Sequence, residues 1–253
     1  FYDAGHRLLP WRDTNDPYRI LVSEFMLQQT RVETVIPYYY RWLDRFPDVR
    51  TLAEAPLDDV LKQWEGLGYY SSARNLQRAA QTVRERYKCQ LPAESDAPRS
   101  WPGLGAYTSG GVASIAFEQP HAAVDGNVRR VLARILDIPT PSASELQQYA
   151  DTLLDQSRPG DFNQAMMELG ATICTPRTPT CADCPVRENC RALRSKTVAL
   201  RPSPKTKSPV PEENVNTLVA QHAGQVLVVQ RPAHGLLAGL WEFPVASDPS
   251  GFA

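Results

Sequence analysis

Two carboxylic acids stand out by their surroundings. Glu24 lies in RILVSEFMLQQT, residues 19–30, among Ile20, Leu21, Val22, Phe25, Met26 and Leu27. A helix apolar on most sides belongs in a core, where a carboxylate is costly unless it is satisfied or protonated. A lone acid there most often pairs with an arginine or a backbone donor. Asp125 lies in AAVDGNVRRVLARIL, residues 122–136, just ahead of Val128, Val131, Leu132, Ile135 and Leu136 at helical spacing. The ordinary role of an aspartate there is N-cap. Amide donors and the helix dipole favour its ionised form, whereas apolar neighbours push Glu24 toward the protonated form. Two acids with oppositely shifted proton affinities recur in acid–base chemistry at glycosidic bonds. In such a pair Glu24 carries the proton and Asp125 is the fixed negative charge.

Four of the five cysteines fall in CTPRTPTCADCPVRENC, residues 174–190, with six, two and five residues between them; Cys89 stands apart. Four thiols in so short a stretch suit a metal better than two strained disulfides. A structural zinc is one reading, although zinc sites usually pair two close-spaced couples. All-cysteine ligation of a cubane iron–sulfur cluster is the other.

WPGLGAYTSGGVASIAF, residues 101–117, places Pro102, Gly103 and Gly105 in a tight turn before an apolar helix. Glycines there let backbone amides approach a ligand, and a helix N-terminus adds donors that suit phosphate. An ordinary helix–turn–helix corner has the same signature. A hairpin that clamps DNA would hold the backbone without reading sequence.

These residues need a scaffold, and the scaffold reads as helical. Apolar positions recur at helical spacing in 20–27, 57–64, 76–83, 128–136 and 146–154. The 253-residue chain has a net charge of −1, so any phosphate-binding surface must be local. Arg74, Arg78, Arg84, Arg86 and Lys88 form one basic run and Arg129, Arg130 and Arg134 another, though such runs are usually solvated helix faces. The composition is ordinary for a soluble globular protein, and no apolar run or signal peptide points to a membrane. Residues 194–211, RSKTVALRPSPKTKSPVP, hold four prolines and five basic residues without an acid, which predicts an extended linker. Beyond it, NVNTLVAQHAGQVLVVQRP alternates and is rich in Val, with HAGQ as a turn. That pattern predicts a β-hairpin near 215–221 and 225–231 and a short strand around Trp241–Phe243. The absence of an initial Met and the shortness of this last segment point to a chain incomplete at its start and ending inside a second domain.

Taken together, SEFMLQQT, EGLGYYSSARNL, WPGLGAYT, VDGNVRRVLAR, PGDFNQAMMELGATICTP and the four cysteines resemble the helix–hairpin–helix DNA glycosylases that carry an iron–sulfur cluster. The likeness is greatest to the MutY-type adenine DNA glycosylases and runs from LPWR at 9–12 to GLLAGLWEFP at 235–244. The resemblance implies a mainly α, helix–hairpin–helix glycosylase fold with a [4Fe–4S] cluster loop. It divides the chain into a catalytic domain over 1–193, a linker over 194–211 and the start of an α/β Nudix-like domain for 8-oxoguanine recognition over 212–253. Nothing in that last segment carries the glutamate-rich box of a Nudix pyrophosphatase.

The resemblance also implies a reaction. The substrate is double-stranded DNA with adenine mispaired with 8-oxoguanine or guanine. The adenine is flipped out at a cost of a few kcal/mol, least for a mispair, and its N-glycosidic bond is hydrolysed to leave an abasic site. Glu24 protonates the leaving base and later activates water, Asp125 stabilises the cationic sugar, and Tyr107 holds both carboxylates. Trp11 and Arg12 line the adenine pocket. Gln29 and Tyr69 wedge into the duplex on the side of the opposite base, with Leu27, Thr30 and Leu67 nearby. Gly103 and Gly105 present amides to phosphate, and hairpin carbonyls of this superfamily can hold a simple cation. Cys174, Cys181, Cys184 and Cys190 carry the [4Fe–4S] cluster, which by this resemblance is preferred over zinc. Trp101 and Leu104 depart from the smaller aliphatics common at the hairpin.

Endonuclease III-type relatives, which act on oxidised pyrimidines and also cut the strand, carry a catalytic lysine where this chain has Tyr107. Tyrosine forms no Schiff base. Arg129 stands where some adenine glycosylases have a lysine. The expected enzyme is therefore a monofunctional glycosylase, a monomer without membrane contact. Its compartment would be the cytoplasm or nucleoid of a bacterium, or the nucleus or mitochondrion of a eukaryote.

Overall fold

The computed structural model describes residues 1–93, 105–204, 212, 214–232, 235 and 237–246. The chain divides into two compact units, Phe1–Pro204 and Lys205–Ala253.

Every regular element among the described residues of the first unit is a helix. A short α1, Tyr2–Gly5, precedes α2, Pro17–Leu27, and α3, Val32–Arg45, follows. Next come α4, Val49–Glu54, α5, Leu57–Trp64, and α6, Tyr70–Tyr87. The chain continues through α7, Ala106–Phe117, α8, Gly126–Leu136, α9, Ala143–Leu153, α10, Pro159–Thr172, and the single turn α11, Arg191–Arg194. Each apolar periodicity seen in the sequence falls on one of these helices, with 146–154 running one residue past the end of α9.

α2 starts cleanly because Asp16 accepts from the Tyr18 and Arg19 amides and Pro17 occupies the first turn, where its missing N–H costs nothing. From Tyr18 to Met26 every residue except Arg19 is buried. α2 packs against α7, α3 and α6, so it lies between two helical groups. In one group α4 and α5 pack on α6 around an aromatic core, with Trp42 and Trp64 ring centroids 5.3 Å apart. In the other, α10 packs on α8 and α7, and α9 and α11 pack on α8. A further core of Leu132, Leu146, Ala150 and Leu154 joins α8 to α9. α7 fits between the groups because Gly110, Gly111 and Gly160 leave room at its contacts. A Cβ on Gly160 would meet the Ser114 carbonyl at 2.7 Å.

The first half of the stretch expected as an extended linker is held by this unit. Arg134, buried on α8, donates to the carbonyls of Val198 and Arg201, and the Ser203 amide donates to the Pro139 carbonyl. Charge and proline content marked 194–204 as free chain, but its carbonyls satisfy a buried guanidinium.

In the second unit the predicted hairpin forms as two short strands, Gln221–His222 and Gln225–Val226, paired antiparallel about Ala223 and Gly224, both at positive φ as a two-residue hairpin turn requires. Asn216–Thr217 pairs with Val245–Ala246, and Val229–Gln230 with Trp241–Glu242. The predicted long strands are thus broken into two-residue pairings.

Candidate active site

Glu24 is 4% exposed on the last turns of α2. It faces a cavity of about 340 Å³ whose walls include Arg7, Trp11, Arg12, Arg31, Tyr107, Asp125 and Asn127. That is within the range of pockets that enclose small ligands, about 300–1,000 Å³. Burial raises the Glu24 carboxyl to about 7, a hydrogen bond from Tyr107 works against the rise, and the charge of Asp125 adds to it. Its Oε2 is buried with no hydrogen-bond partner among the described residues. α7 comes close enough that a Cβ on Gly111 would lie 3.0 Å from that oxygen. The same helix carries Tyr107, whose phenol is pushed well above its ordinary value by burial and by the two carboxylates, and stays protonated as a donor.

Asp125 is the N-cap of α8. It accepts from the Val128 amide at 2.6 Å and from Asn127 Nδ2 at 3.0 Å. The sequence suggested that capping would keep this acid more acidic than usual. Instead its proton affinity is raised, because burial outweighs the bonds from Val128 and Asn127. Asn127 Oδ1 in turn accepts from Arg130, whose guanidinium also donates to the carbonyls of Gly170 and Cys174.

A second, open cavity of about 840 Å³ meets the first at Leu27, Thr30, Arg31, Tyr107, Asp125 and Asn127. Gln29 and Gly105 line it. Of the expected base-pocket residues, Trp11 and Arg12 both line the inner cavity. Tyr69 is 56% exposed and held in the left-handed region at φ 47, an uncommon setting for a bulky residue and one associated with function. Leu67 is buried in the same loop and lines neither cavity. Gly103, with Trp101 and Leu104, lies outside the described residues.

Two arginines of the inner cavity's wall share one buried acid. Arg7 and Arg12 both contact Glu168 of α10, which is 2% exposed. Burial would raise the Glu168 carboxyl, but the Arg7 and Arg12 bonds prevail and lower it to about 2. The signal was present in MMELG: an acid inside an apolar helical run, the same feature that singled out Glu24. Arg129 donates to the Pro141 carbonyl at 2.9 Å.

Cys174, Cys181, Cys184 and Cys190 line one small cavity together with Arg134 and Leu193, and none forms a disulfide. Arg134 Nη1 lies 3.3 Å from Cys174 Sγ. Burial raises the Cys184 and Cys190 thiols, and the neighbouring cysteines add to the rise. Among the described residues no three His, Cys, Asp or Glu side chains converge as a single metal ion would require. No helix among the described residues is long and apolar enough to cross a membrane.

Residues 22–156 match the family described as HhH-GPD superfamily base excision DNA repair protein. The chain is 41% identical to the adenine DNA glycosylase of Mus musculus, across 99% of this chain and 60% of that protein. It is 36% identical to the adenine DNA glycosylase of Schizosaccharomyces pombe, across 96% of this chain and 67% of the relative. An adenine DNA glycosylase of Buchnera aphidicola is 32% identical across 96% of this chain and 71% of its own. This chain therefore spans about 60% of the length of the mouse relative. Among solved structures, a thermostable thymine-DNA glycosylase matches with a TM-score of 0.71 at 29% identity, over 77% of this chain and 92% of that one. An endonuclease III in non-covalent complex with DNA shares the fold, with a TM-score of 0.67 at 22% identity over 77% and 91% of the two chains. On these matches the chain belongs to the HhH-GPD superfamily of base excision DNA repair proteins, among the relatives named adenine DNA glycosylases.

Proposed function

We propose that this protein is a monofunctional adenine DNA glycosylase acting on double-stranded DNA with adenine opposite 8-oxoguanine or guanine. The observation that carries the reading is the shared wall of the inner cavity: Glu24, Tyr107 and Asp125 together, with Glu24 Oε2 buried and open to a substrate atom.

The flipped adenine enters between Trp11 and Arg12, the latter fixed by Glu168. Glu24, proton-bearing near neutral pH, gives its proton to the imidazole-ring nitrogen of the base. The bond from the sugar C1′ to the base then breaks and its electron pair leaves with adenine. Asp125, fixed by Val128 and Asn127, opposes the positive charge that forms on the sugar. Water attacks C1′ and returns a proton to the Glu24 carboxylate, so the sum is hydrolysis. General acid–base action of this kind contributes roughly 10²–10⁴-fold. With tyrosine at 107 and Arg129 engaged by Pro141, neither residue supplies an amine to trap the sugar.

The outer cavity suits the DNA backbone beside the flipped nucleotide, with Gly105 at the start of α7 and Gln29 and Tyr69 inserted toward the opposite base. Gly103 joins them by resemblance. The four cysteines fit an iron–sulfur cluster better than zinc. One tetrahedral zinc would bring its sulfurs within about 4 Å of each other, whereas the cysteines surround a cavity beside a buried guanidinium that offsets thiolate charge. Cys174, Cys181, Cys184 and Cys190 would hold a [4Fe–4S] cluster, and its contribution would be to fix the loop between α10 and α11. The segment from 212 begins a Nudix-like domain that favours 8-oxoguanine, and the protein acts as a monomer.

Single-turnover assays on duplexes with adenine opposite 8-oxoguanine, guanine or thymine test this reading. Excision should be fastest opposite 8-oxoguanine and slowest opposite thymine, with little strand cleavage and little borohydride-trapped complex. Efficient trapping, or action on oxidised pyrimidines instead, would favour the endonuclease III-type reading.

A further inference from the structure

Gln28 lies on the wall of the outer cavity, between the wedge residue Gln29 and the helix that carries Glu24. It caps the C-terminus of α2. Its Nε2 lies 3.3 Å from Thr108 Oγ1 on the first turn of α7, and its Oε1 accepts from Ser72 Oγ on the first turn of α6 at 3.2 Å. Thr108 and Ser72 are 2% and 9% exposed, while Gln28 is half-buried and, with Thr108, lines the outer cavity. A primary amide can donate to one hydroxyl and accept from another at once. Three helix ends therefore meet at one side chain.

Each end carries a residue of the proposed site. Gln28 precedes Gln29 and lies one helical turn after Glu24. Thr108 follows Tyr107, the donor to Glu24. Ser72 N donates to the Tyr69 carbonyl at 2.8 Å, which ties that residue to the strained, exposed Tyr69. We propose that Gln28 is a positioning residue: its amide joins the wedge residues Gln29 and Tyr69 to Tyr107 and Glu24, so that insertion into the duplex and alignment of the acid occur together. The inference rests on the glycosylase reading of the site and adds a residue of the outer cavity wall whose amide joins two other helix ends.

The geometry separates this role from plain scaffolding. Loss of the amide leaves two hydroxyls that can turn back to carbonyls of their own helices, so the fold survives. What is lost is the fixed distance between three helix ends, and a displacement of about 1 Å in a catalytic group can cost 10²-fold in rate.

The test compares the full chain with Gln28→Leu, and with Ser72→Ala and Thr108→Val, which remove one end each. Single-turnover excision from an adenine·8-oxoguanine duplex should fall at least tenfold in Gln28→Leu. Affinity for the same duplex carrying uncleavable 2′-fluoro-adenosine should change less than threefold, and the melting temperature by no more than a few degrees. Adding Ser72→Ala or Thr108→Val to Gln28→Leu should slow excision by less than the product of the separate effects. An unchanged rate in Gln28→Leu overturns the proposal, as does a loss of rate matched by equal losses of affinity and melting temperature. If the wild-type chain excises no adenine, the glycosylase reading itself fails, and amide hydrogen exchange then judges the brace. Gln28→Leu must raise exchange at least threefold in the first turns of both α6 and α7, and unchanged exchange there overturns it.

Discussion

The guanidinium of Arg12 meets the carboxylate of Glu168 at 2.8 Å across 156 residues of sequence, and both side chains are nearly buried. Arg7 grips the same carboxylate through its backbone amide, Nε and a terminal nitrogen. This pairing pins the loop that carries Trp11 to α10, and so fixes one wall of the inner cavity. Glu168→Gln would leave a buried guanidinium without its charge partner, a change that typically costs about 3–5 kcal/mol. Urea unfolding should show a loss of that order, and a loss below about 1 kcal/mol would mean that the pair is not what holds the wall. Because the Glu168 carboxyl is held at about 2, below its unfolded value of 4.5, its contribution is present above pH 4.5 and is lost as the pH falls toward 2.

Glu24 behaves in the opposite sense. Its folded value of about 7 lies above the unfolded 4.5, so the folded protein holds the proton more tightly. The stabilisation is complete below pH 4.5 and disappears as the pH rises through 7. Ionised Glu24 at pH 8 should therefore cost up to about 3 kcal/mol relative to a neutral side chain. Glu24→Gln should melt higher than wild type at pH 8 and about equally at pH 4.5, while single-turnover excision drops at least 10²-fold. In the wild type, excision should decline as the pH passes above 7. A rate that rises through that range would remove Glu24 as the acid.

Asp125 tests scaffold against catalyst. Asparagine caps a helix about as well as aspartate, so Asp125→Asn should keep the bond from the Val128 amide and the melting temperature within a few degrees. It should nonetheless lose most of the excision rate, because the charge opposite the forming cation is gone. Binding of an uncleavable mispaired duplex should stay near wild type. Retained excision in the folded variant would reduce Asp125 to a cap.

How much of this could be read from the residues alone depends on the range of the interaction. α2 and α8 announced themselves through local periodicity, and Glu24 and Asp125 were conspicuous because an acid in an apolar run, or just before one, is a local feature. The raised proton affinity of Asp125 was not legible, since it depends on how deeply α8 is packed against α10. Glu168 carried the same signal as Glu24, but its partners lie more than 150 residues away. Residues 194–204 looked like free chain because the carbonyl acceptors that hold Arg134 have no side-chain signature. Gln28 was overlooked for a similar reason: its bonds join helices far apart in sequence.

The cysteine loop predicts a colour and a composition. Purified protein should be yellow-brown and contain about four irons, with Cys89 dispensable. Cys184→Ser should lower the melting temperature and DNA affinity before it alters the chemistry of the bound duplex, because metal and folding are coupled at such sites. One zinc and no iron on elemental analysis would return the loop to the zinc reading.

Gly170 carries the last prediction. It sits near the end of α10, and a Cβ there would lie 2.6 Å from Asn127 Cβ and 3.1 Å from the Asn127 backbone. No rotamer relieves contacts to a Cβ and a main chain, so Gly170→Ala must push α10 and the first turn of α8 apart. Overpacking of this kind costs typically 1–3 kcal/mol. Asn127 holds Asp125 through its Nδ2 and Arg130 through its Oδ1, and Arg130 also donates to the Gly170 carbonyl. The same shift should therefore disturb Asp125. Gly170→Ala is expected to unfold at lower urea and, in the fraction that remains folded, to excise adenine at least tenfold more slowly, with duplex affinity less affected. Gly160→Ala serves as the comparison, because its clash falls on the Ser114 carbonyl and the Ile115 backbone, away from Asp125. If both variants lose stability but only Gly170→Ala loses rate, the close approach of α10 to Asn127 serves the catalytic aspartate as well as the fold. Equal rates in the two variants would confine Gly170 to packing.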